Sequence, residues 1–338
     1  MHRRPVRTGP RAFGRASAVL LVLALAGCSG GSQSTLHASG FGAQRTEGLW
    51  WLFFWISVVV FAEVMSLLGW AVWRRRRAKV RIRGGDSLAM VSILGVAIPF
   101  VVLVVVYGFG LRDLNALASP PKKAAVTVDV VGHQWWWEIH YADQPGAVTA
   151  NEIHIPVGES VRIRLRTADV QHSFWVPNLM PKTDLIAGKV NTTWLYTDKA
   201  GTYRGQCAEY CGQQHAFMAF RVVAEPPAQF HTWVAALATP PVRTLTDAQQ
   251  RGLQVFEQSS CASCHTIRGT TATGTVGPDL STMGSRWSLG AGAAPNDAGH
   301  LGGWIANSQT IKPGNAMPPQ PVAAQDLPDL VAYLQSLQ

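Results

Sequence analysis

Two long apolar runs constrain this chain more than any other feature of its sequence. They read WWLFFWISVVVFAEVMSLLGWAVW at residues 50–73 and LAMVSILGVAIPFVVLVVVYGFG at residues 88–110. As helices that rise about 1.5 Å per residue, both are long enough to cross a hydrocarbon core of roughly 30 Å. The runs therefore predict a membrane protein, held by a two-helix transmembrane hairpin within residues 41–111.

The positive charge of the chain lies beside these apolar runs. The net charge is +9, but from Leu111 to the C terminus acidic and basic residues nearly balance. An RRRR cluster at residues 74–77 separates the two runs, and short basic loops remain in the cytoplasm. We therefore expect a multi-pass protein of a bacterial plasma membrane with everything beyond Leu111 on the extracytoplasmic side. The charge gives no support for nucleic-acid binding.

Residues 1–27 have the pattern of an export signal. An Arg-rich segment precedes the apolar run AVLLVLALAG, and Cys28 follows with small and polar residues after it. The sequence LAGC at residues 25–28 resembles a bacterial lipobox, which implies a lipoprotein-type signal peptide and lipidation of Cys28. The alternative is an ordinary cleaved signal with an uninvolved cysteine. Either signal places the following residues outside the cytoplasm.

Glu63 lies inside the first apolar run, where a carboxylate is costly in contact with lipid. Its position indicates a side chain that faces a partner subunit or a proton path. The alternative is a position at the lipid edge or a filler between helices.

Short strand-like segments separated by Gly, Pro, Asn and Asp fill residues 124–225. In one of them Val161, Ile163 and Leu165 alternate with arginines, which predicts one buried and one solvated face. About 100 residues of this texture predict an antiparallel all-β sandwich or barrel. The loops at one end of such a frame could carry a site.

The segment CAEYCGQQHAFM combines Cys207, Cys211, His215 and Met218. In an exported domain two cysteines ordinarily form a disulfide, and that is the alternative reading. Imidazole and thioether groups beside thiolates suit copper, and His172, in QHSFWVP, could close the site from another loop. This donor set exceeds what a single blue-copper centre uses, and it suits two copper ions that share both sulfurs.

The pattern C-x-E-x-C-G-x-x-H-x-x-M, with H-S-x-W-V-P about 35 residues earlier, resembles the dinuclear copper (CuA) site of cytochrome c oxidase subunit II. The resemblance covers residues 41–233, including GHQWWW and KTDLIAGK, and implies a cupredoxin-like Greek-key domain. The copper ligands that it implies are His172, Cys207, Cys211, His215, Met218 and the backbone carbonyl of Glu209.

The same resemblance assigns roles to two further residues. It implies that the Glu209 carboxylate binds a magnesium ion at the boundary with subunit I, and that Trp135 lies over the copper and relays electrons. The alternative for the three tryptophans of GHQWWW is that they only pack a core. Many family members also carry a Glu near the start of the second helix, whereas this chain has Ser92 there, with Asp86 or Glu63 as substitutes.

The C-terminal part begins after a Pro-rich linker at residues 226–244. Thr246 and Gln249 have the spacing of a capping box, which predicts the start of a helix. The motif CASCH at residues 261–265 is the attachment signature of c-type haem: Cys261 and Cys264 bind the porphyrin and His265 binds the iron. A thioredoxin-like pair would need a βαβ context that the sequence lacks.

The second iron ligand is expected to be Met317, in the Pro-rich loop KPGNAMPP ahead of a terminal helix. Cytochrome c domains resemble this layout, and the resemblance implies an all-α domain at residues 245–338. The other candidate, Met283, is predicted to be a packing residue. Gly277, Pro278 and Leu280 match the segment at the haem edge. With Cys28 assigned to lipid, no cysteine remains for a disulfide.

These assignments predict the electron-transfer subunit II of a bacterial respiratory oxidase with a fused cytochrome c. Electrons from cytochrome c or a cytochrome bc complex would pass through haem c and CuA to the haem-copper site of subunit I, where O2 is reduced to water with proton translocation. The apolar runs hold no histidine cluster, so oxygen chemistry is expected in that partner. The alternatives are a stand-alone membrane-tethered electron carrier or copper-delivery protein, or a subunit of a nitric oxide-type or nitrous oxide reductase. The intact copper-ligand set argues against a quinol oxidase subunit.

Overall fold

A computed structural model describes residues 31–77, 84–239 and 244–338. The predicted signal peptide and Cys28 lie outside these residues. The first apolar run forms part of helix α1 (Phe41–Arg77). The second run is continuous helix built from α2 (Gly84–Ser92), a π-helical turn (Ile93–Ala97) and α3 (Ile98–Leu117).

Two segments of these helices, Phe41–Arg74 and Leu88–Leu117, are long and apolar enough to cross a membrane. Most of their apolar side chains are exposed, as expected of surfaces that face lipid. The helices extend beyond the apolar runs because backbone hydrogen bonding continues into polar residues at each end. Near one end of the hairpin, Arg45 Nη1 lies 3.2 Å from Asp113 Oδ1. The predicted hairpin is confirmed, and the chain is membrane-associated.

The polar residues considered for proton uptake lie on these helices. Glu63 is exposed on α1 and Ser92 is exposed at the end of α2, while the side chain of Asp86 lies outside the described part. The role of Glu63 stays a prediction.

The next domain is a sandwich of two five-stranded sheets, in the orders β3-β2-β1-β5-β8 and β4-β10-β9-β6-β7. The strands are β1 (Ala124–His133), β2 (Trp136–Tyr141), β3 (Val148–Ala150), β4 (Glu152–Pro156), β5 (Ser160–Thr167), β6 (His172–Trp175), β7 (Thr183–Leu185), β8 (Asn191–Leu195), β9 (Gly201–Cys207) and β10 (Ala219–Glu225).

This sandwich is cupredoxin-like, as predicted. Most neighbouring strands are antiparallel, but β1 pairs with β5 and β10 pairs with β4 in parallel. The expectation of an antiparallel sandwich was therefore wrong for these two pairs. Parallel pairing needs a connection that crosses to the other sheet, and the period-2 pattern of a strand carries no information about that crossing.

The core of the sandwich lies between the two sheets. Val161, Ile163 and Leu165 are fully buried, as the alternation in β5 predicts. Trp137 is also fully buried, and its ring contacts Phe174 edge-on.

Within the segment assigned to the linker, residues 227–238 form helix α4 (Pro227–Ala238). Phe230, Val234 and Leu237 of α4 are buried in the core of the sandwich. Sequence composition did not reveal this docking, because a short helix between proline pairs has the same texture whether it is packed or free.

The C-terminal part is helical, with its own hydrophobic core. Its elements are α5 (Asp247–Gln258), α6 (Cys261–Cys264), the short strands β11 (Ser288–Leu289) and β12 (Ala294–Pro295), α7 (Ala298–Ile311), which is kinked at Asn307, and α8 (Leu327–Gln335). The predicted capping box opens α5, since Thr246 and Gln249 exchange hydrogen bonds between side chain and backbone. Helix α8 is the terminal helix expected after Met317, and its Leu330, Val331 and Leu334 are buried.

Helices α5 and α8 cross at Gly252, where a Cβ atom would stand 2.1 Å from the backbone oxygen of Asp329. Backbone cannot yield as a flexible side chain can, so Gly252→Ala should lower the free energy of unfolding by about 2–3 kcal/mol. Gly302→Ala in α7 is the matched control, because its nearest neighbour would be 3.8 Å away. The control should be neutral or more stable by up to about 1 kcal/mol. Urea unfolding of the haem-loaded chain in detergent measures both, and equal midpoints would contradict this packing.

Candidate copper and haem sites

One end of the sandwich gathers the residues of the CAEYCGQQHAFM segment. Strand β9 ends at Cys207 and β10 begins after Met218, and the backbone N–H of Cys207 donates to Met218 O at 3.0 Å, which closes the loop between them. His172 opens β6, which pairs with β9 so that Phe174 stands opposite Cys207. Strand pairing therefore brings His172 to the loop from 35 residues away in sequence.

The predicted ligand atoms form one contiguous cluster. Cys207 Sγ lies 3.7 Å from Cys211 Sγ and 3.9 Å from His172 Nδ1. Cys211 Sγ lies 3.6 Å from His215 Nδ1 and 3.8 Å from Met218 Sδ. His172, Cys207 and Cys211 together meet the spacing needed to hold a metal ion. The five side chains singled out from the sequence thus occupy one site.

The two sulfur atoms are close but not bonded. A disulfide requires a separation of about 2.05 Å, and both cysteines are free. The hydrogen bond from the Cys211 thiol lowers the pKa of Cys207 to about 3, whereas the neighbouring Cys207 thiolate raises the pKa of Cys211. Two negative sulfurs at this distance repel each other unless cations lie between them. The donor set therefore fits soft metal ions shared by both thiolates.

Asp169, which no motif in the sequence singles out, supports the His172 imidazole. His172 Nε2 lies 2.8 Å from Asp169 Oδ1, so Nδ1 is the nitrogen that faces Cys207. Carboxylates that accept the second N–H of a ligating histidine fix its tautomer and its ring orientation. An acid three residues before the histidine was the available signal, but that spacing alone does not distinguish it from a loop residue.

The three tryptophans of GHQWWW occupy three different environments. Trp135 is buried and its Nε1 donates to Cys211 O at 3.0 Å, while Gln134 Nε2 donates to the same oxygen at 2.8 Å. Trp136 stacks on His133 with centroids 4.3 Å apart. Trp137 belongs to the sandwich core. Trp137 packs the core, as the packing interpretation holds, and its Nε1 also donates to Met218 O at 3.3 Å. Trp135 and Trp137 thus both touch the copper loop, residues 207–218, at Cys211 and Met218 respectively.

Glu209 points two groups in different directions. Its carbonyl oxygen lies 3.2 Å from Cys207 Sγ, inside the cluster. Its carboxylate is partly exposed and pairs with Lys182 Nζ at 3.2 Å. The backbone of Glu209 thus belongs to the site, and its side chain faces outward.

An apolar cleft in the C-terminal domain collects the residues of the haem motif. Cys261, Cys264, His265 and Met317 all line it. Apolar side chains make up much of the remaining wall: Phe256, Leu280, Leu289, Leu301, Ile305, Leu330 and Leu334. Such a cleft suits a flat hydrophobic macrocycle, because it buries apolar surface and keeps water away from it.

His265 is oriented for ligation. Its Nδ1 lies 2.8 Å from Pro278 O, which leaves Nε2 for the cleft. Burial lowers the pKa of His265 and favours the neutral imidazole that a metal requires. Gly277 is needed beside it, since a Cβ there would stand 2.4 Å from His265 Cε1.

Met317 and Met283 both line the cleft, but they are held differently. The carbonyl of Met317 accepts hydrogen bonds from Ser308 Oγ at 2.7 Å and Gln309 Nε2 at 2.9 Å, which fixes its loop against α7. Met283 is only 6% exposed and belongs to the hydrophobic core. The assignment of Met317, rather than Met283, as the second iron ligand stays a prediction.

Arg286 gives a further indication of what the cleft holds. It lines the cleft, and its Nε is buried with no hydrogen-bond partner among the described residues. Burial also lowers the pKa of its guanidinium. A buried cation with an unused donor fits a ligand that carries an anionic substituent.

The cleft continues to the sandwich. Gln134, Trp135 and Trp136 form part of its wall, so Trp135 touches both the copper loop and the haem cleft. The two motifs predict each site separately, and neither motif indicates that the sites share a residue.

Comparisons with known proteins agree with both halves of the chain. Residues 146–225 match the family model described as cytochrome C oxidase subunit II, periplasmic domain, and residues 249–338 match the model for cytochrome c. Cytochrome c oxidase subunit 2 of Alkalihalophilus pseudofirmus is 33% identical over 94% of this chain and 95% of the relative. The subunit of the same name from Bacillus subtilis is 30% identical over 88% and 89%.

Among solved structures, the periplasmic domain of subunit II of cytochrome oxidase from Bradyrhizobium japonicum is 32% identical. It matches 34% of this chain and 95% of that domain, with a TM-score of 0.33.

Glu138 lies in β2 and forms hydrogen bonds to two histidines next to the GHQWWW segment. One carboxylate oxygen lies 2.9 Å from His133 Nε2 and the other lies 2.9 Å from His140 Nε2. The hydrogen bond with His133, followed by that with His140, lowers the pKa of Glu138 to about 2. Because His133 also stacks on Trp136, this carboxylate helps to fix the segment that carries Trp135.

Glu138→Gln should reveal this contribution through its pH dependence. A carboxyl whose pKa is lower in the folded state stabilises the fold above its unfolded pKa of about 4.3, and the stabilisation disappears as the pH falls toward 2. The variant should therefore be less stable by about 1–2 kcal/mol at pH 7, after allowance for partial solvent screening, with a narrower difference at pH 3. Urea unfolding of the copper-free chain at the two pH values measures this. Glu159→Gln, in the turn before β5, is the control. If the Glu138 variant loses the same amount of stability at both pH values, the role assigned to the ionised Glu138 carboxylate is contradicted.

Proposed function

The chain belongs to the cytochrome c oxidase subunit II family, and we propose that it brings electrons into a respiratory oxidase through two cofactors of its own. It takes electrons from cytochrome c or a cytochrome bc complex onto a covalently bound haem c. It then passes them through a dinuclear CuA centre to the haem-copper site of subunit I, where O2 is reduced to water with proton translocation. Family membership gives the oxidase electron-transfer role, and the haem c and the route are the proposal.

The observation that carries this proposal is the shared position of Trp135. Its indole N–H reaches the carbonyl of Cys211, and the same residue lines the cleft that contains Cys261, Cys264 and His265. Two sites with complementary redox chemistry, separated by one aromatic residue, are what an electron relay needs. A copper-delivery protein has no use for a haem cleft, so the arrangement favours the relay over that alternative.

The residues proposed to hold copper are His172, Cys207, Cys211, His215 and Met218, with the Glu209 carbonyl. When bound, the copper pair supplies one-electron transfer with little rearrangement of its ligands. Cys207 and Cys211 supply the two thiolates, Asp169 keeps His172 in the ligating tautomer, and burial of the cluster excludes water.

The residues proposed to hold haem c are Cys261 and Cys264 through thioethers and His265 and Met317 at the iron. Pro278 O holds the His265 ring through Nδ1, and Arg286 offers its free donor to an anionic substituent. The apolar wall keeps the iron environment dry, which tunes the reduction potential.

The Glu209 carboxylate is proposed to bind magnesium where the chain meets subunit I. It is partly exposed and lies beside the copper cluster. Lys182 now neutralises this carboxylate, so magnesium would have to displace that partner. The domains beyond α3 are proposed to lie outside the cytoplasm, anchored by the two helices and by a lipid on Cys28.

Metal content tests the dinuclear site. The full chain, purified alone in detergent and fully loaded, should contain two copper ions per haem. Met218→Leu should change the optical and paramagnetic spectra of copper and leave the haem spectrum unchanged, because it removes one donor and conserves volume. Met180→Leu, at an equally buried methionine of the same core, is the control. A loaded chain with fewer than two coppers per haem would rule out the pair.

The iron ligands can be separated by two methionine variants. Met317→Leu should abolish the sulfur-to-iron charge-transfer band and lower the midpoint potential, because methionine ligation raises the potential of haem. Met283→Leu should retain both properties, as a volume-conserving change in a core. Optical redox titration of each variant gives the answer. Loss of the band in the Met283 variant alone would transfer the assignment to that residue.

A further inference from the structure

We propose that Lys312 is a positioning residue that fixes the cytochrome c domain on the copper domain and so sets the rate of electron transfer between them. The proposal rests on the proposed electron route and adds to it the side chain that holds the two domains in register. Lys312 follows directly after α7, five residues before Met317.

The ammonium of Lys312 joins three backbone segments. Its Nζ lies 2.7 Å from Trp135 O and 2.6 Å from Phe217 O, both on the copper domain. The third contact is 2.7 Å to Gly290 O, on the cytochrome domain. One acceptor belongs to the tryptophan between the two sites, and another lies in the copper loop between His215 and Met218. A single side chain therefore contacts the backbone of both ends of the proposed route.

This lysine is only 2% exposed, although it lies at a domain boundary. Burial lowers the pKa of Lys312 to about 7. The three carbonyl oxygens favour the protonated form of Lys312, because a neutral amine has only two N–H groups and would leave one oxygen without a donor. Burying an ammonium is unfavourable unless its protons are all accepted, and these three oxygens accept all of them. All three protons of the Lys312 ammonium are therefore accepted only while the two domains are docked.

Other contacts across the boundary surround Lys312 but are weaker or more exposed. Gln214 Nε2 donates to Pro313 O at 2.6 Å, and Ala219 N donates to Ala291 O at 2.9 Å. Further away, Arg268 Nη1 reaches Gly146 O at 3.3 Å and Trp287 Nε1 reaches Asn151 O at 3.4 Å. These bonds are made by neutral donors or lie near solvent. Among these contacts, those of Lys312 have a donor that is both charged and buried. Hydrogen bonds with an ionised donor are stronger than those between neutral groups.

The consequence for function follows from geometry. Electron transfer between two fixed centres depends steeply on their separation, and small displacements of reacting groups cost large factors in rate. Without the Lys312 contacts the cytochrome domain would stay attached to the copper domain through the chain, but fewer contacts would hold it in the docked orientation. Only the fraction of molecules that is docked would transfer electrons at the native rate.

The test compares individual electron-transfer steps in the purified oxidase complex. Rapid photoreduction of the haem, followed at the copper band, gives the haem-to-copper rate. Direct photoreduction of copper by a soluble ruthenium complex gives the onward rate and bypasses the haem. Lys312→Met fills the space without a donor. Lys199→Met, at an exposed lysine of the copper domain, is the matched control.

Lys312→Met should slow the haem-to-copper step by about tenfold or more, because it removes three charge-assisted hydrogen bonds from the docked state. The optical spectra and midpoint potentials of both centres and the onward rate from copper should equal those of the unmodified complex. Lys199→Met should match it in every measurement. Lys312→Arg, which restores a charged donor, should recover part of the rate. A merely structural role would alter spectra or assembly and would not slow this one step selectively.

Two results distinguish failure of the positioning role of Lys312 from failure of the proposed electron route. Suppose that the unmodified complex transfers electrons from haem to copper and that Lys312→Met does so equally fast with intact spectra. The positioning role of Lys312 is then wrong, and the proposed electron route is still supported. If the unmodified complex shows no such transfer, the route itself is wrong. Should Lys312→Met fail to assemble, Lys312→Gln keeps a polar filler, and the magnetic haem–copper distance distribution in that variant must broaden for the proposal to survive.

Discussion

The closeness of two cysteine sulfurs, 3.7 Å apart in a buried loop, governs how the copper domain is built. In the metal-free loop the Cys211 thiol hydrogen-bonds to the Cys207 thiolate and its pKa is raised, so both sulfurs become anionic only when cations replace that proton. The hydrogen bond between Cys207 N and Met218 O clamps the two ends of the loop. Trp135 and Gln134 hold the loop from the side through the carbonyl of Cys211. The rigid sandwich thus supplies a frame for a geometry that the loop alone would not keep.

The position of this frame above the membrane follows from contacts at the start of α1. Asn178, in the loop after β6, hydrogen-bonds through its side chain to Ser34 O and His37 O, and its carbonyl accepts from Ser39 N. Gly40 fits against Leu179, whose backbone oxygen would lie 2.4 Å from any Cβ there. The copper domain is therefore attached to the hairpin at both helices, through this segment before α1 and through the chain after α3. Two attachments restrict rotation of the domain relative to the hairpin.

Much of this architecture was predictable because its signals are local. The hairpin, the alternation in β5, the capping box of α5 and the ligand-rich segments each depend on residues close in sequence. Asp169, Arg286 and Lys312 were not predictable, since each acquires its role from partners that only the fold brings near. Lys312 is the clearest case: in KPGNAMPP it has the appearance of a solvated loop lysine, and only the docking of two domains gives it three buried acceptors. The parallel pairing of β1 with β5 was missed for the same reason.

The chemistry of the domain boundary also explains what a fused cytochrome changes. Soluble redox partners find each other through exposed charges, and salt screens that attraction over roughly 10 Å. Here the hydrogen bonds across the boundary all end on backbone carbonyls, and the charged contact at Lys312 is buried, where counterions cannot enter. The covalent link also supplies a high effective concentration, so that weak contacts suffice to keep the domains docked. Docking of haem to copper within this chain should therefore be far less sensitive to ionic strength than the arrival of an external donor, which must still approach through the exposed surface of the cytochrome domain.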